Sequence, residues 1–216
     1  MSRINKLLAQ ERLYIAEVLA QAQAFPGSFR DSDIDRLKSC LADPAIAANI
    51  GNGDVVAINN YQALCISADT VPFIDVDTSD RHTLNWLQSD LGNAGLGGRV
   101  YRTRKGYRLA LHQEMHPETL FSRYLPKSKL DHYGIDPTYA LFCTELGNYR
   151  ARCSAKPWRI ARKNYDTISN YERYRYPIVQ FLSSFGSAGE PSEHWQRVMA
   201  MHDAASHAVT DNHNLY

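Results

Sequence analysis

The sequence predicts an α+β fold, an antiparallel sheet with flanking helices, on three observations. Apolar residues recur at helical spacing near both ends, short alternating runs replace that period after residue 54, and Val71 to Leu111 reads strand, helix, strand, strand. That last order is the one found in split βαβ or ferredoxin-like units. A chain of 216 residues, 44% hydrophobic and 22% charged, is long enough to bury one substantial core. We therefore expect a single domain over 1–216: a helical extension at 1–50, an α+β core at 54–160 and a helical part at 164–216.

The elements follow in order. Ile4, Leu7, Leu8, Ile15, Val18 and Leu19 form a stripe that predicts an amphipathic helix from Ser2 to Ala24, stopped by Pro26-Gly27. A second helix is expected from Ser32 to Ala42, with Ser32 as cap and Asp33 and Asp35 in its first turn. Asp54 to Ile58 and Tyr61 to Ser67 read as a hairpin turned at Asn59-Asn60. Val71 to Asp77 is a third strand, and Thr78 or Ser79 is placed to cap the next helix, which runs through Leu84, Leu87 and Leu91 into a glycine cluster. Arg99 to Arg102 and Tyr107 to Leu111 are strands joined around Lys105-Gly106. Beyond them, Pro117 to Leu125 and Pro137 to Leu146 read as helices starting at proline, Asn148 to Ser154 as a strand, Asn164 to Tyr176 as irregular, and Glu193 to Ala208 as a final helix.

Composition excludes several classes. No run of about 18 apolar residues is present, so no membrane span is expected, and the charged first 25 residues do not resemble a signal peptide. Cys40, Cys65, Cys143 and Cys153 never form a C-x-x-C pair, which points to buried free thiols and a reducing, cytoplasmic setting. No H-E-x-x-H, G-x-S-x-G, Walker A or complete G-x-G-x-x-G pattern occurs. The net charge of +1 conceals an asymmetry: Arg99 to Tyr176 holds 16 Lys or Arg against 7 Asp or Glu, a local +9, while the remainder carries −8. Many of the tyrosines share that basic stretch. Cations interleaved with aromatics suit a phosphate backbone and stacked bases, so nucleic acid or a nucleoside triphosphate is the expected partner.

Three features could carry chemistry. Asp75 and Asp77, at i and i+2 of one strand, project from the same face about 7 Å apart. Two carboxylates so placed could hold Mg²⁺ or Mn²⁺, with Glu145 the nearest candidate for a third acid. The hairpin Tyr101 to Leu109 brings Arg102, Arg104, Lys105 and Arg108, with Tyr107 available to stack a base. Arg150 and Arg152 share a strand face, and Lys156, Trp158 and Arg159 follow around Pro157, a set able to clamp phosphate and stack a base on Trp158.

The run Phe73-Ile74-Asp75-Val76-Asp77, the helix after it and the hairpin Thr103-Arg104-Lys105-Gly106-Tyr107-Arg108-Leu109 resemble the core of the archaeo-eukaryotic primase superfamily, which includes primase-polymerases. The resemblance spans about Phe73 to Arg159. It implies an RRM-like module and a metal-dependent nucleotidyltransferase acting in replication. Asp75 and Asp77 would match the metal-binding acids, and Arg150, Arg152 and Lys156 the late basic strand. The family's second-strand histidine is replaced by Arg108, the residue that would take its catalytic place, and His112 lies four residues on. Two other readings use the same residues: a noncatalytic DNA- or RNA-binding protein of plasmid, phage or mobile-element type, and a protein-interaction module.

Overall fold

The structure, a computed structural model, describes residues 64–154, 177–187 and 189–210, together with the backbone of two strands at 13–14 and 55–58. The fold is α+β with two antiparallel sheets of four strands each. The first sheet joins β1 (Leu13–Tyr14), β2 (Val55–Ile58), β3 (Leu64–Ala68) and, from much later in the chain, β7 (Tyr149–Arg152). In the second, β4 (Phe73–Val76) leads into α1 (Arg81–Asn93), then β5 (Gly98–Thr103) and β6 (Tyr107–Leu111), and β8 (Val179–Phe185) completes the order β4-β6-β5-β8. Helices α2 (Pro137–Leu146) and α3 (Glu193–Ser206) flank the sheets.

The split βαβ unit is present: β6 inserts between β4 and β5, antiparallel to both. Among the described residues a second helix-strand repeat of ferredoxin type is not completed. The chain instead passes through short turns and α2 into β7 of the other sheet, and β8 adds to the free edge of β5. β8 is a strand the sequence reading missed, although Ile178-Val179-Gln180-Phe181-Leu182 is an almost continuous apolar run between Pro177 and Gly186. One correction falls at the amino terminus. Leu13 and Tyr14 are extended and pair with Ile58 and Ala57, so the expected helix from Ser2 to Ala24 does not run through them. A sheet edge offering unpaired backbone groups competes with helix there. The expected helix from Ser32 to Ala42 lies outside the described residues.

Local chemistry accounts for the helix ends. Asp80, rather than Thr78 or Ser79, caps α1: its carboxylate accepts from the His82 and Thr83 amides at 3.2 and 3.0 Å. Asp136 accepts from the Thr138 amide at 2.8 Å ahead of Pro137, and Gly147 closes α2 at φ 69°. Ser192 caps α3 by accepting from the Trp195 amide at 3.0 Å.

Register assigns the two faces of the second sheet. Ile74, Val76, Val100 and Leu109 form one face, buried in the same core as Leu84, Leu87 and Leu91 of α1. Phe73, Asp75, Tyr101, Arg108 and Ala110 form the other, against which α3 packs. The His202 ring lies 5.2 Å from Phe73, and Trp195 donates its indole N–H to the Leu111 carbonyl at 2.6 Å. Cys65, Cys143 and Cys153 are buried and unbridged as expected; burial pushes the Cys65 and Cys143 thiols up to about 12, which keeps them protonated.

Candidate functional site

Asp75, Arg108 and Tyr101 are successive register partners on β4, β6 and β5, so their side chains form a row across one face. Arg108 is wholly buried, and its Nε and Nη2 donate to the two oxygens of Asp75 at 2.7 and 3.3 Å. Nη1 donates to the Arg152 carbonyl at 2.9 Å and faces His202 Nε2 at 3.2 Å. Burial acts to discharge the guanidinium, but the adjoining Asp75 carboxylate outweighs it and keeps Arg108 cationic.

Guanidinium has no acceptor, so His202 Nε2 must accept, and the proton of the neutral ring sits on Nδ1. Nδ1 in turn donates to Asp203 Oδ1 at 2.9 Å. Complete burial holds His202 below its ordinary pKa and the Arg108 charge reinforces this, with Asp203 opposing. Arg99 closes the series: Nη1 donates to Asp203 Oδ2 at 3.3 Å while its Cζ lies 5.1 Å from the Trp195 ring centre. The line Asp75, Arg108, His202, Asp203, Arg99 thus holds two carboxylates and two guanidiniums joined by a neutral imidazole. It threads the core between two partly exposed acids.

This arrangement corrects two expectations. Arg108 does not face a groove as a catalytic or phosphate-binding group, because it is a core cation with four of its five N–H groups engaged. The acid pair does not fit a metal centre. Both Asp75 oxygens already accept from a permanent cation, and withdrawing the carboxylate would leave a buried charge uncompensated. Asp77 is exposed just past β4, and Glu145 is exposed on α2. Among the described residues no group of three or more His, Cys, Asp or Glu is placed to hold a metal.

The hairpin between β5 and β6 carries a group of solvent-exposed cations. Thr103 and Gly106 close it, the Thr103 amide donating to the Gly106 carbonyl at 2.9 Å and the Gly106 amide to Thr103 Oγ1 at 3.1 Å. Arg104 and Lys105 occupy its exposed tip, with Arg102 exposed on the adjoining strand. A Cβ on Gly106 would come within 2.0 Å of the Val76 carbonyl and 2.9 Å of that of Thr78. The turn therefore packs directly on the end of β4, beside Asp77. Tyr107, expected to stack a base, is instead buried, with its hydroxyl donating to the Ser79 carbonyl at 3.1 Å.

Arg150 and Arg152 do share one face of β7. Their donors turn inward, however, Arg150 Nε to Asn148 Oδ1 at 3.4 Å and Arg152 Nη1 to the Ser154 carbonyl at 2.6 Å. Lys156, Trp158 and Arg159 lie outside the described residues. The residues that sequence reasoning missed are Arg99, Tyr101, His202 and Asp203. His202 had a legible signal: it falls on the helical stripe Trp195, Val198, Met199, His202, Ala205, which marks a core position.

Comparison with family models, with curated proteins and with solved structures finds no match to this chain.

Proposed function

We propose that the chain is a noncatalytic nucleic-acid-binding protein that grips phosphates with the tip of the β5-β6 hairpin. One observation carries the reading: Arg102, Arg104 and Lys105 are exposed together there, while Asp75 is neutralised by Arg108. Three solvated cations, two at the tip of the turn and one on the adjoining strand, form an electrostatic contact that needs no rearrangement of the core. The wider +9 segment supplies a field of the same sign.

The test is anisotropy with single-stranded DNA, single-stranded RNA and duplex DNA across a salt series. The parent should lose affinity linearly in log salt. A triple Arg102→Ala, Arg104→Ala, Lys105→Ala variant should lower the slope by about 2 to 3, since each phosphate contact contributes roughly 0.7 to 0.9. An unchanged slope, or no binding by the parent at low salt, overturns the reading.

A second reading, the primase-like nucleotidyltransferase using Mg²⁺ or Mn²⁺, is favoured by the register that sets the end of β4 beside the hairpin cations. It requires Asp75 to exchange Arg108 for a divalent ion. Nucleotide incorporation by the parent with Mn²⁺, lost in Asp77→Asn while nucleic-acid binding persists, would establish it. An inactive parent would remove it.

A further inference from the structure

A cavity of about 370 Å³ opens where β5 and β8 meet the carboxyl-terminal end of α3. Arg99, Phe181, Ser184 and Asp203 line it, and residues 208–210 close its rim. The strand pairing builds this wall. Arg99 pairs with Ser184 and Tyr101 with Phe181, and the register shift between them turns both Phe181 and Ser184 onto the face that carries Arg99. The rim is held by backbone hydrogen bonds, Phe181 N–H to the Val209 carbonyl at 2.8 Å and Val209 N–H to the Val179 carbonyl at 3.3 Å.

We propose that this cavity binds a single nucleobase or nucleoside through a lactam edge. Its polar wall is a fixed donor-acceptor pair: an Arg99 N–H lies 3.3 Å from an Asp203 oxygen, and the two side chains are 38% and 32% exposed, so a ligand can reach both. An edge with a carbonyl beside an N–H complements that pair, the carbonyl accepting from Arg99 and the acidic N–H donating to Asp203. The Phe181 ring offers an apolar surface on which a planar heterocycle can stack. Asp203 is oriented by His202 and Arg99 is seated on Trp195, so the pair is preorganised. Behind it the buried Tyr101 hydroxyl interacts with both Arg99 and Asp203, and its ring meets Phe181 edge-on at 5.8 Å, which further fixes the pair and the stacking surface.

Charge and size narrow the ligand. Arg99 and Asp203 cancel, so the pocket has no surplus cation to anchor a phosphate. Its volume lies at the lower end of the roughly 300 to 1,000 Å³ typical of small-molecule sites. That suits one nucleoside rather than a dinucleotide. The proposal does not depend on the hairpin reading, because a nucleoside carries no phosphate for those cations to hold.

Calorimetric titration of the full chain with inosine tests it, with 1-methylinosine, which lacks the lactam N–H, as the control. Inosine should bind, and 1-methylinosine at least tenfold more weakly. Ser184→Trp, which fills the cavity from an exposed strand position, should abolish both. Amide shifts on inosine titration should map to Arg99, Phe181, Asp203 and Thr210, a readout that needs no variant. No inosine binding at millimolar concentration, equal binding of 1-methylinosine, or shifts confined to other residues would each overturn the proposal.

Discussion

Asp75 and Arg108 are register partners on neighbouring strands and a bidentate ion pair, with Arg108 wholly buried and Asp75 about one third exposed. The pair turns what reads as a metal-binding carboxylate into the counter-ion of a core cation. Arg108 also donates to the β7 backbone and to His202 on α3, so one guanidinium ties β4, β7 and α3 to the middle of the second sheet. The nucleic-acid contact proposed above therefore lies at the hairpin tip and not at the acid pair.

His202 makes stability sensitive to acid. Buried and neutral, it titrates below its ordinary value of 6.5 in the folded chain, while the unfolded chain takes up that proton near 6.5. Stability should therefore be flat above about pH 6.5 and fall as pH drops below it, with a slope approaching about 1.4 kcal/mol per pH unit for this one group. A folded protonated ring would stand as a second cation 3.2 Å from Arg108. His112, shifted down by burial and by Arg99, acts in the same direction. Urea melts from pH 5 to 8 should show the slope in the parent and a shallower one in His202→Gln; identical slopes would exclude His202 as its source.

The Gly106 turn tolerates no side chain. Gly106→Ala should cost about 1 to 3 kcal/mol, because its Cβ collides with the backbone carbonyl of Val76, at the paired end of β4, and with that of Thr78 just beyond it. The loss should be local as well as global. Amide exchange at Tyr107 and Asp77 should accelerate in the variant, and unchanged exchange there would contradict the packing of the turn on β4.

Ser192 has two partners. Its hydroxyl caps α3 and donates to Glu114, whose other oxygen contacts Thr70 and His194. Burial pushes the Glu114 carboxyl up, but these three hydrogen bonds outweigh it and hold it below the ordinary glutamate range. Ser192→Ala should cost at least the ~1 kcal/mol of a lost cap. It should also raise the Glu114 pKa, measurable by carbon-detected titration; a stability loss with no such rise would confine Ser192 to capping.

Strands β4 and β6 and helix α2 were legible because each has a marked start or stop: Pro72 and Asp77 on either side of Phe73 to Val76, the Lys105-Gly106 turn, Asp136-Pro137 and Gly147. The basic hairpin tip was legible for the same reason. The role of Asp75 was not, because the residue that neutralises it is 33 positions away and its partners on β7 and α3 are further still. An arginine in a strand reads as exposed unless its counter-charge is known. The wall of the cavity joins residues 99 and 203, a contact no local pattern announces. β8 was missed since the bulge opposite Val100 and Tyr101 breaks the period of two within Val179 to Phe185.

The most direct test is a double-mutant cycle on Asp75 and Arg108, measured by urea unfolding of the parent, Asp75→Asn, Arg108→Met and the double variant. Removing Asp75 alone should cost on the order of 3 kcal/mol, at the low end for a buried pair because the carboxylate is partly solvated. The double variant should recover much of that loss, giving a coupling of roughly 1 to 3 kcal/mol. Additive costs, or an Asp75→Asn protein as stable as the parent, would contradict the assignment of Asp75 to the core.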